Sequence, residues 1–302
     1  MVYRSANDWE NTLITWSQPL GKVEDEKAER AVTAIERAVR NSSRLQGRSV
    51  TTFVQGSYRN NTGVRQESDV DVCVLSTQTF HYNDIPSPYT PVSLGITPAS
   101  YTYPSFRDDL EAALVAEFGR AAVKNGNKAF NVRENTYRVE ADAVPCFEYR
   151  EYTNSYGVVR YESGTCLFAR DGTFITNFPQ QQHNNGLKKD LDTGYRFKPV
   201  VRAIKKLSCE MVDEGSDAAK PMKSFLLESL IWNVADSSFL VPGMRDRVGG
   251  MLDEIGAMMR YNKGSSFKEE NGIKPLFGPL ITWTPDQVER FAQAARKHIG
   301  FN

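Results

Sequence analysis

Gly56-Ser57 and, twelve residues after Ser57, Asp69-Val70-Asp71 are the residues whose types and spacing could do chemistry. Residues two apart in a strand point the same way and lie about 6.5 Å apart along it, so both carboxylates can converge on two divalent cations held about 3.5 to 4 Å from each other. That arrangement suits metal-assisted phosphoryl or nucleotidyl transfer. Gly56 has no side chain to block a triphosphate, and the amides and hydroxyl of a Gly-Ser turn at the start of a following helix can donate to its oxygens. An isolated pair of this kind is ordinarily a solvated strand face; the Gly-Ser turn a short loop upstream changes the reading. Aspartate is depleted in strands, and two on one face repel each other unless a cation neutralises them. A third carboxylate is then expected on a neighbouring strand. Val139-Glu140-Ala141-Asp142-Ala143-Val144-Pro145 supplies it, with Asp142 preferred and Glu140 the alternative.

The elements that must position these groups are legible in outline. Ala28, Ala31, Val32, Ile35, Ala38 and Val39 recur at three- and four-residue steps, which predicts a helix with one buried face between Glu24 and Asn41. Val50 to Val54 is a short β-prone run, and Asp69 to Leu75 alternates, with Val70, Val72 and Val74 opposite Asp69, Asp71 and Cys73. His81 to Pro104, with its prolines, reads as a surface excursion, after which Ser105 with Asp108 resembles a capping box opening a helix that buries Phe106, Leu110, Leu114 and Phe118. Tyr137 to Val144 alternates again, and Gly157 to Phe178 reads as hairpins turning at Gly164 and Gly172. Beyond Pro179 the pattern becomes helical: Lys198 to Met211, Ser224 to Ala235, Arg245 to Tyr261 and Thr284 to Ile299.

Composition limits the alternatives. The 302 residues are 40% hydrophobic and 25% charged, an ordinary folded chain rather than a disordered or fibrous one. Lysine plus arginine and aspartate plus glutamate both number 37, so no global positive field draws it onto duplex nucleic acid. No run approaches the length needed to span a bilayer, and the N-terminus has charges where a secretion signal needs an apolar core, which points to the cytoplasm. Cys73, Cys146, Cys166 and Cys209 are widely spaced, with no zinc-ligand pattern, and read as reduced core filler. His81, His183 and His298 fall in separate segments, none near a plausible nucleophile, and Lys188-Lys189 reads as a solvated helix end.

GSYRNNTGVRQESDVDVCVL at Gly56 to Leu75, with ADAVP at Ala141 to Pro145, resembles the polymerase-β-type nucleotidyltransferase superfamily. Within it, the chain is most similar to the bacterial cGAS/DncV-like nucleotidyltransferases, or CD-NTases, of anti-phage CBASS systems. The resemblance implies a bilobed α/β architecture: a mixed-sheet nucleotidyltransferase lobe over 1–180 with N-terminal bracing helices, and a helical lobe over 181–302 closing the nucleotide cleft. It implies that Ser57, beside Gly56, binds the donor triphosphate, and that Asp69, Asp71 and Asp142 hold two Mg²⁺, with Mn²⁺ an alternative. In the helical half, Val200-Val201-Arg202-Ala203-Ile204-Lys205 matches a helix whose lysine contacts the triphosphate, and the wheel places Lys205 and Lys206 near the edge of the apolar stripe. Lys223-Ser224-Phe225-Leu226-Leu227-Glu228 matches a segment whose serine binds the phosphate tail and whose aromatic stacks on a base. For Phe225, base stacking and a plain core aromatic are equally open readings.

The activity so implied is joining of NTPs, ATP and/or GTP first among them, into a cyclic di- or trinucleotide second messenger, with release of pyrophosphate. A separate effector would read the product, the synthase would be a monomer, and no duplex activator is expected, because the animal relative's zinc insertion is missing. The rivals are single nucleotidyl transfer to an RNA end or small acceptor, and a catalytically dead nucleotide-binding module. A neutral chain lacks the basic track that RNA tailing needs, and the intact Ser57, Asp69, Asp71 and Asp142 argue against a dead module.

Overall fold

The computed structural model describes residues 4–64, 70–136, 138–279 and 281–301, with Lys22, Val23 and Glu24 described by backbone alone. The chain divides into two compact units after Pro179, but the division is not a single cut: residues of 1–20 and 60–67 group with the helical second half, and Gly21–Arg59 and Ser68–Pro179 form the sheet unit. The elements in chain order begin with α1 (Ala6–Trp16), α2 (Lys22–Asn41), β1 (Val50–Gln55), α3 (Gly56–Asn60), β2 (Val70–Tyr82) and α4 (Tyr103–Phe118). Five strands follow: β3 (Val123–Asn125), β4 (Phe130–Val132), β5 (Ala141–Ser155), β6 (Val158–Phe168) and β7 (Phe174–Asn177). The rest is helical, with α5 (Pro179–Asp192), α6 (Phe197–Asp213), α7 (Ser224–Trp232), α8 (Met244–Asn262) and α9 (Pro285–His298).

In the sheet unit the strands run β1-β2-β5-β4-β3, and β6, flanked by β7, pairs with the later part of β5. β2 and β5 are parallel and the other pairs antiparallel, which makes the sheet mixed. β2 runs well past Leu75: an irregularity between Ser76 and Phe80 lets pairing resume at Phe80 opposite Glu148, where the polar run had hidden it from the alternation rule. The apolar face of α2 is buried at every predicted position, and Phe106 of α4 stacks on Phe147 of β5 with ring centroids 5.6 Å apart. Two local expectations are corrected. The α4 cap is Thr102, whose hydroxyl accepts the Ser105 amide at 3.3 Å, so the helix starts a turn early with Pro104 in its first turn and Ser105 is already helical. The β5–β6 hairpin turns at Tyr156-Gly157, both at positive φ, while Gly164 lies inside β6. Cys73, Cys146 and Cys166 are buried and Cys209 is partly exposed; burial pushes the Cys166 thiol up to about 12.

The helical unit packs one apolar core from α1, α6, α7, α8 and α9, including Leu13, Ile204, Leu226, Met251 and Phe291. α5 differs, because Gly186 is its only fully buried residue and its inward contacts are polar. Gln182 donates to Glu270 Oε2 at 3.1 Å and the Asn185 amide to the Glu270 carbonyl at 2.8 Å. Gly186 is a matter of room: a Cβ there would lie 2.4 Å from Glu270 Oε1. Elsewhere in the unit, Arg4 and His298 both reach Glu210, with His298 tilted against Trp9 at 5.3 Å.

Burial first, and then the neighbouring Glu228, push the Glu270 carboxyl well above its ordinary value near 4.5, and burial raises Glu269 as well. A carboxyl raised in the fold contributes stability that is complete below its unfolded value and is lost as pH climbs through the folded one. Glu270→Gln, which keeps the shape without the titration, is therefore expected to melt above wild type, with the gap widening from about pH 5 to pH 8. Thermal melts across that range check it; a gap that is constant with pH contradicts it. Glu269 leaves part of the wild-type slope in place.

Candidate active site

β1 ends at Gln55, in register with Asp71 of β2, and Asp71 is in turn in register with Asp142 of β5. In-register residues of neighbouring strands carry their side chains on one face, about 4.8 Å apart. The two carboxylates are thus neighbours, both half-buried. Asp142 rather than Glu140 is the residue opposite Asp71; Glu140 precedes β5, and its carbonyl accepts the Val70 amide at 3.2 Å. Asn131 of β4 faces Asp142 across the next pairing and donates its Nδ2 to Asp142 Oδ1 at 3.4 Å. Asp69 lies outside the described residues.

Gly56 follows β1 directly and opens α3 with φ +68°, and a Cβ there would sit 2.4 Å from Asp71 Oδ2. Both the backbone and the space therefore require glycine, and the half-buried Ser57 is the next residue of the helix. Gly56→Ala is expected to cost about 1–2 kcal/mol in backbone strain and, by displacing the Asp71 carboxylate, to lower activity at least about 10-fold. Melting curves and turnover on the purified variant check both parts. Beside Asp142 opens a cavity of about 590 Å³ lined by Asn131, Glu140, Arg133, Lys124 and Lys128 among others. It is mixed in charge and contiguous with the carboxylate face.

Of the helical-half candidates, Lys205 is placed differently from expectation. Lys205 does not sit at the edge of a stripe: its side chain is 1% exposed, and its ammonium donates to Glu228 Oε2 at 3.2 Å and to the Thr62 carbonyl at 3.3 Å. α6 is buried on nearly all sides, Val201 and Ser208 as well as Val200 and Ile204, so the wheel could not show that Lys205 faces inward. Ser224 is the half-buried first residue of α7, one position inside the Lys223 cap, and Phe225 is half-buried with its ring 6.4 Å from Trp283. Sequence reading passed over Glu228, although a carboxylate inside the apolar run Leu226-Leu227-Glu228-Ser229-Leu230-Ile231 is the signal of a buried, paired charge. Asn131 carries no comparable signal.

Residues 184–300 match the model of the cGAS/DncV-like nucleotidyltransferase C-terminal helical domain. The cyclic dipyrimidine nucleotide synthase CdnE of Legionella pneumophila is 40% identical over 301 residues, 98% of this chain and 99% of that protein. The chain belongs to the cGAS/DncV-like nucleotidyltransferases. Two solved CD-NTase structures agree over nearly the whole length. The Elizabethkingia meningoseptica CdnE cyclic dinucleotide synthase with GTP and Apcpp superposes with a TM-score of 0.81 at 30% identity, covering 97% of this chain and 99% of that one. The Rhodothermus marinus CdnE c-UMP-AMP synthase with Apcpp and Upnpp gives 0.83 at 26%, covering 97% and 98%. This CD-NTase is accordingly an enzyme, a nucleotidyltransferase that makes cyclic oligonucleotides, and the strand pair carrying Asp71 and Asp142 lies in its mixed-sheet unit.

Proposed function

We propose that this CD-NTase condenses two NTPs, at least one of them a pyrimidine nucleotide, into a cyclic dinucleotide at the carboxylates of β2 and β5. The observation that carries the site is the in-register pair Asp71 and Asp142, with Gly56 packed so closely over Asp71 that a methyl group would collide with it. The family resemblance put ATP and/or GTP first, without fixing the bases; the name of the L. pneumophila relative supports UTP and CTP instead.

The all-oxygen donor set of Asp71 and Asp142, completed by Asp69, fits Mg²⁺, with Mn²⁺ as a substitute. Metal ions bound there would supply Lewis-acid activation of the attacking hydroxyl and neutralise charge on the triphosphate. The Gly56-Ser57 turn holds the donor triphosphate through its amides and the Ser57 hydroxyl; for Ser224 and Phe225 of the helical unit, the family resemblance supports roles as a phosphate contact and a base contact. Asp142, which lines the cavity beside it, orients the acceptor's ribose hydroxyl, and Asn131 fixes the Asp142 carboxylate. The hydroxyl oxygen bonds to the α-phosphorus, the bond from that phosphorus to the bridging oxygen breaks, pyrophosphate leaves, and the hydroxyl proton passes to water. A second round on the linear intermediate closes the ring. Family membership supports the wider reading of a cytoplasmic monomer whose product is a second messenger read by a separate effector in anti-phage defence.

Incubation with each pair of labelled NTPs and Mg²⁺ or Mn²⁺, followed by phosphatase, tests the reading. A phosphatase-resistant product containing uridine or cytidine is expected, since a ring has no terminal phosphate to lose. Products that lose their label to phosphatase, or rings built from purines alone, overturn it.

A further inference from the structure

Residues 60–62 connect the helix that begins at Gly56-Ser57 to the stretch leading into β2, and all three are gripped within the helical unit. Asn60, the last residue of α3, donates its Nδ2 to Glu228 Oε1 at 3.3 Å, and its Oδ1 meets His183 Nδ1 at 3.2 Å. The Asn61 carbonyl accepts from the Arg202 guanidinium, and the backbone turns there at φ +54°. The hydroxyl of the fully buried Thr62 lies 3.1 and 3.0 Å from the two Glu228 oxygens, and its carbonyl accepts from Lys205 at 3.3 Å. Four side chains from α5, α6 and α7 thus hold three consecutive residues.

A buried ion pair is a poor device for stability, because well-packed apolar residues in its place are often as stable or more so. Apart from Arg202, Ser208 and Ser229, the other buried side chains of α6 and α7 are apolar, and leucines at 205 and 228 would suit that setting. What leucines cannot do is hold one polar segment in one place, which a satisfied buried network does. We infer that Glu228, seated by Lys205, is a positioning residue for nucleotidyl transfer: through Asn60 and Thr62 it fixes the far end of α3 and so the placement of Ser57. The inference rests on the reading that Ser57 holds the donor triphosphate.

Thr62→Val removes the hydroxyl that bridges the Glu228 oxygens while keeping the shape, and Thr62→Ser keeps the hydroxyl. A displacement of about 1 Å can cost about 100-fold in rate, so Thr62→Val, assayed well below its melting temperature, is expected to lose at least about 10-fold in kcat/KM, with KM for NTP raised and kcat lowered. Thr62→Ser should recover to within about 3-fold of wild type. Should Thr62→Val fail to fold, two double variants carry the same question: Lys205→Met with Glu228→Leu is expected to fold and be impaired, and Lys205→Met with Glu228→Gln, which keeps an acceptor for Thr62, to be less impaired. Wild-type kinetic constants in Thr62→Val, or in the leucine double variant, overturn the clamp. Ser57→Ala, measured alongside, separates the two layers: an unchanged KM for NTP removes the donor reading and the clamp with it, whereas an impaired Ser57→Ala beside an unimpaired Thr62→Val removes the clamp alone.

Discussion

Replacing Asp71 by asparagine is expected to cut cyclic product formation by about 10³-fold or more while leaving the melting temperature unchanged or higher. Asparagine keeps the shape and loses the charge, and metal-borne charge stabilisation of a transferring phosphoryl group is worth several kcal/mol, at about 1.4 kcal/mol per tenfold in rate. The stability side follows from register. Asp71 and Asp142 sit opposite each other on adjacent parallel strands, and like charges so placed work against the sheet when no cation lies between them. Melts in chelator should therefore show no loss. With Mg²⁺ and a non-hydrolysable NTP, wild type should gain melting temperature by mass action and the variant much less. A variant within tenfold of wild-type turnover would remove Asp71 from the chemistry.

Lys205→Met should act on the fold first. Its ammonium and the Glu228 carboxylate are 1% and 4% exposed, and removing one partner leaves a charge buried without its counterion beside a second carboxyl, Glu270. Breaking such a pair costs about 3–5 kcal/mol, a fall in melting temperature on the order of 10 °C for a chain of this size. Adding Glu228→Gln should restore most of the loss. If Lys205→Met melts like wild type and instead loses NTP affinity, the ammonium serves the triphosphate, as its position in the sequence implied.

The carboxylate site was legible because strand alternation has a period of two and admits few placements: Asp71 and Asp142 had to share faces with their neighbours, and only pairing could unite them. Lys205 was not, because a wheel locates the edge of a stripe only when a helix has an exposed side, and α6 scarcely has one. α5 escaped for the opposite reason: it meets its surroundings through Gln182, His183, Asn185 and Lys189, which leave no apolar period to detect. β3 and β4, at three residues each, are too short to alternate visibly. Their existence depends on pairing, β3 with β4 and β4 with the start of β5, which the pattern of a three-residue run does not contain.

Gly186 carries an evolutionary constraint out of proportion to its size. Alanine at the middle of a helix ordinarily gains about 1 kcal/mol over glycine, so Gly186→Ala is the substitution that drift or a thermostability screen would try first. Here the new methyl would meet Glu270 Oε1 at 2.4 Å, so the buried carboxylate that accepts from Gln182 would have to shift. The helix accepts alanine once the carboxylate at 270 moves aside or is shortened, and either change disturbs the hydrogen bond from Gln182. Each single step descends before the pair can climb. Positions 186 and 270 should therefore covary among descendants of this sequence, with a small residue at one preserved wherever a long carboxylate or amide persists at the other.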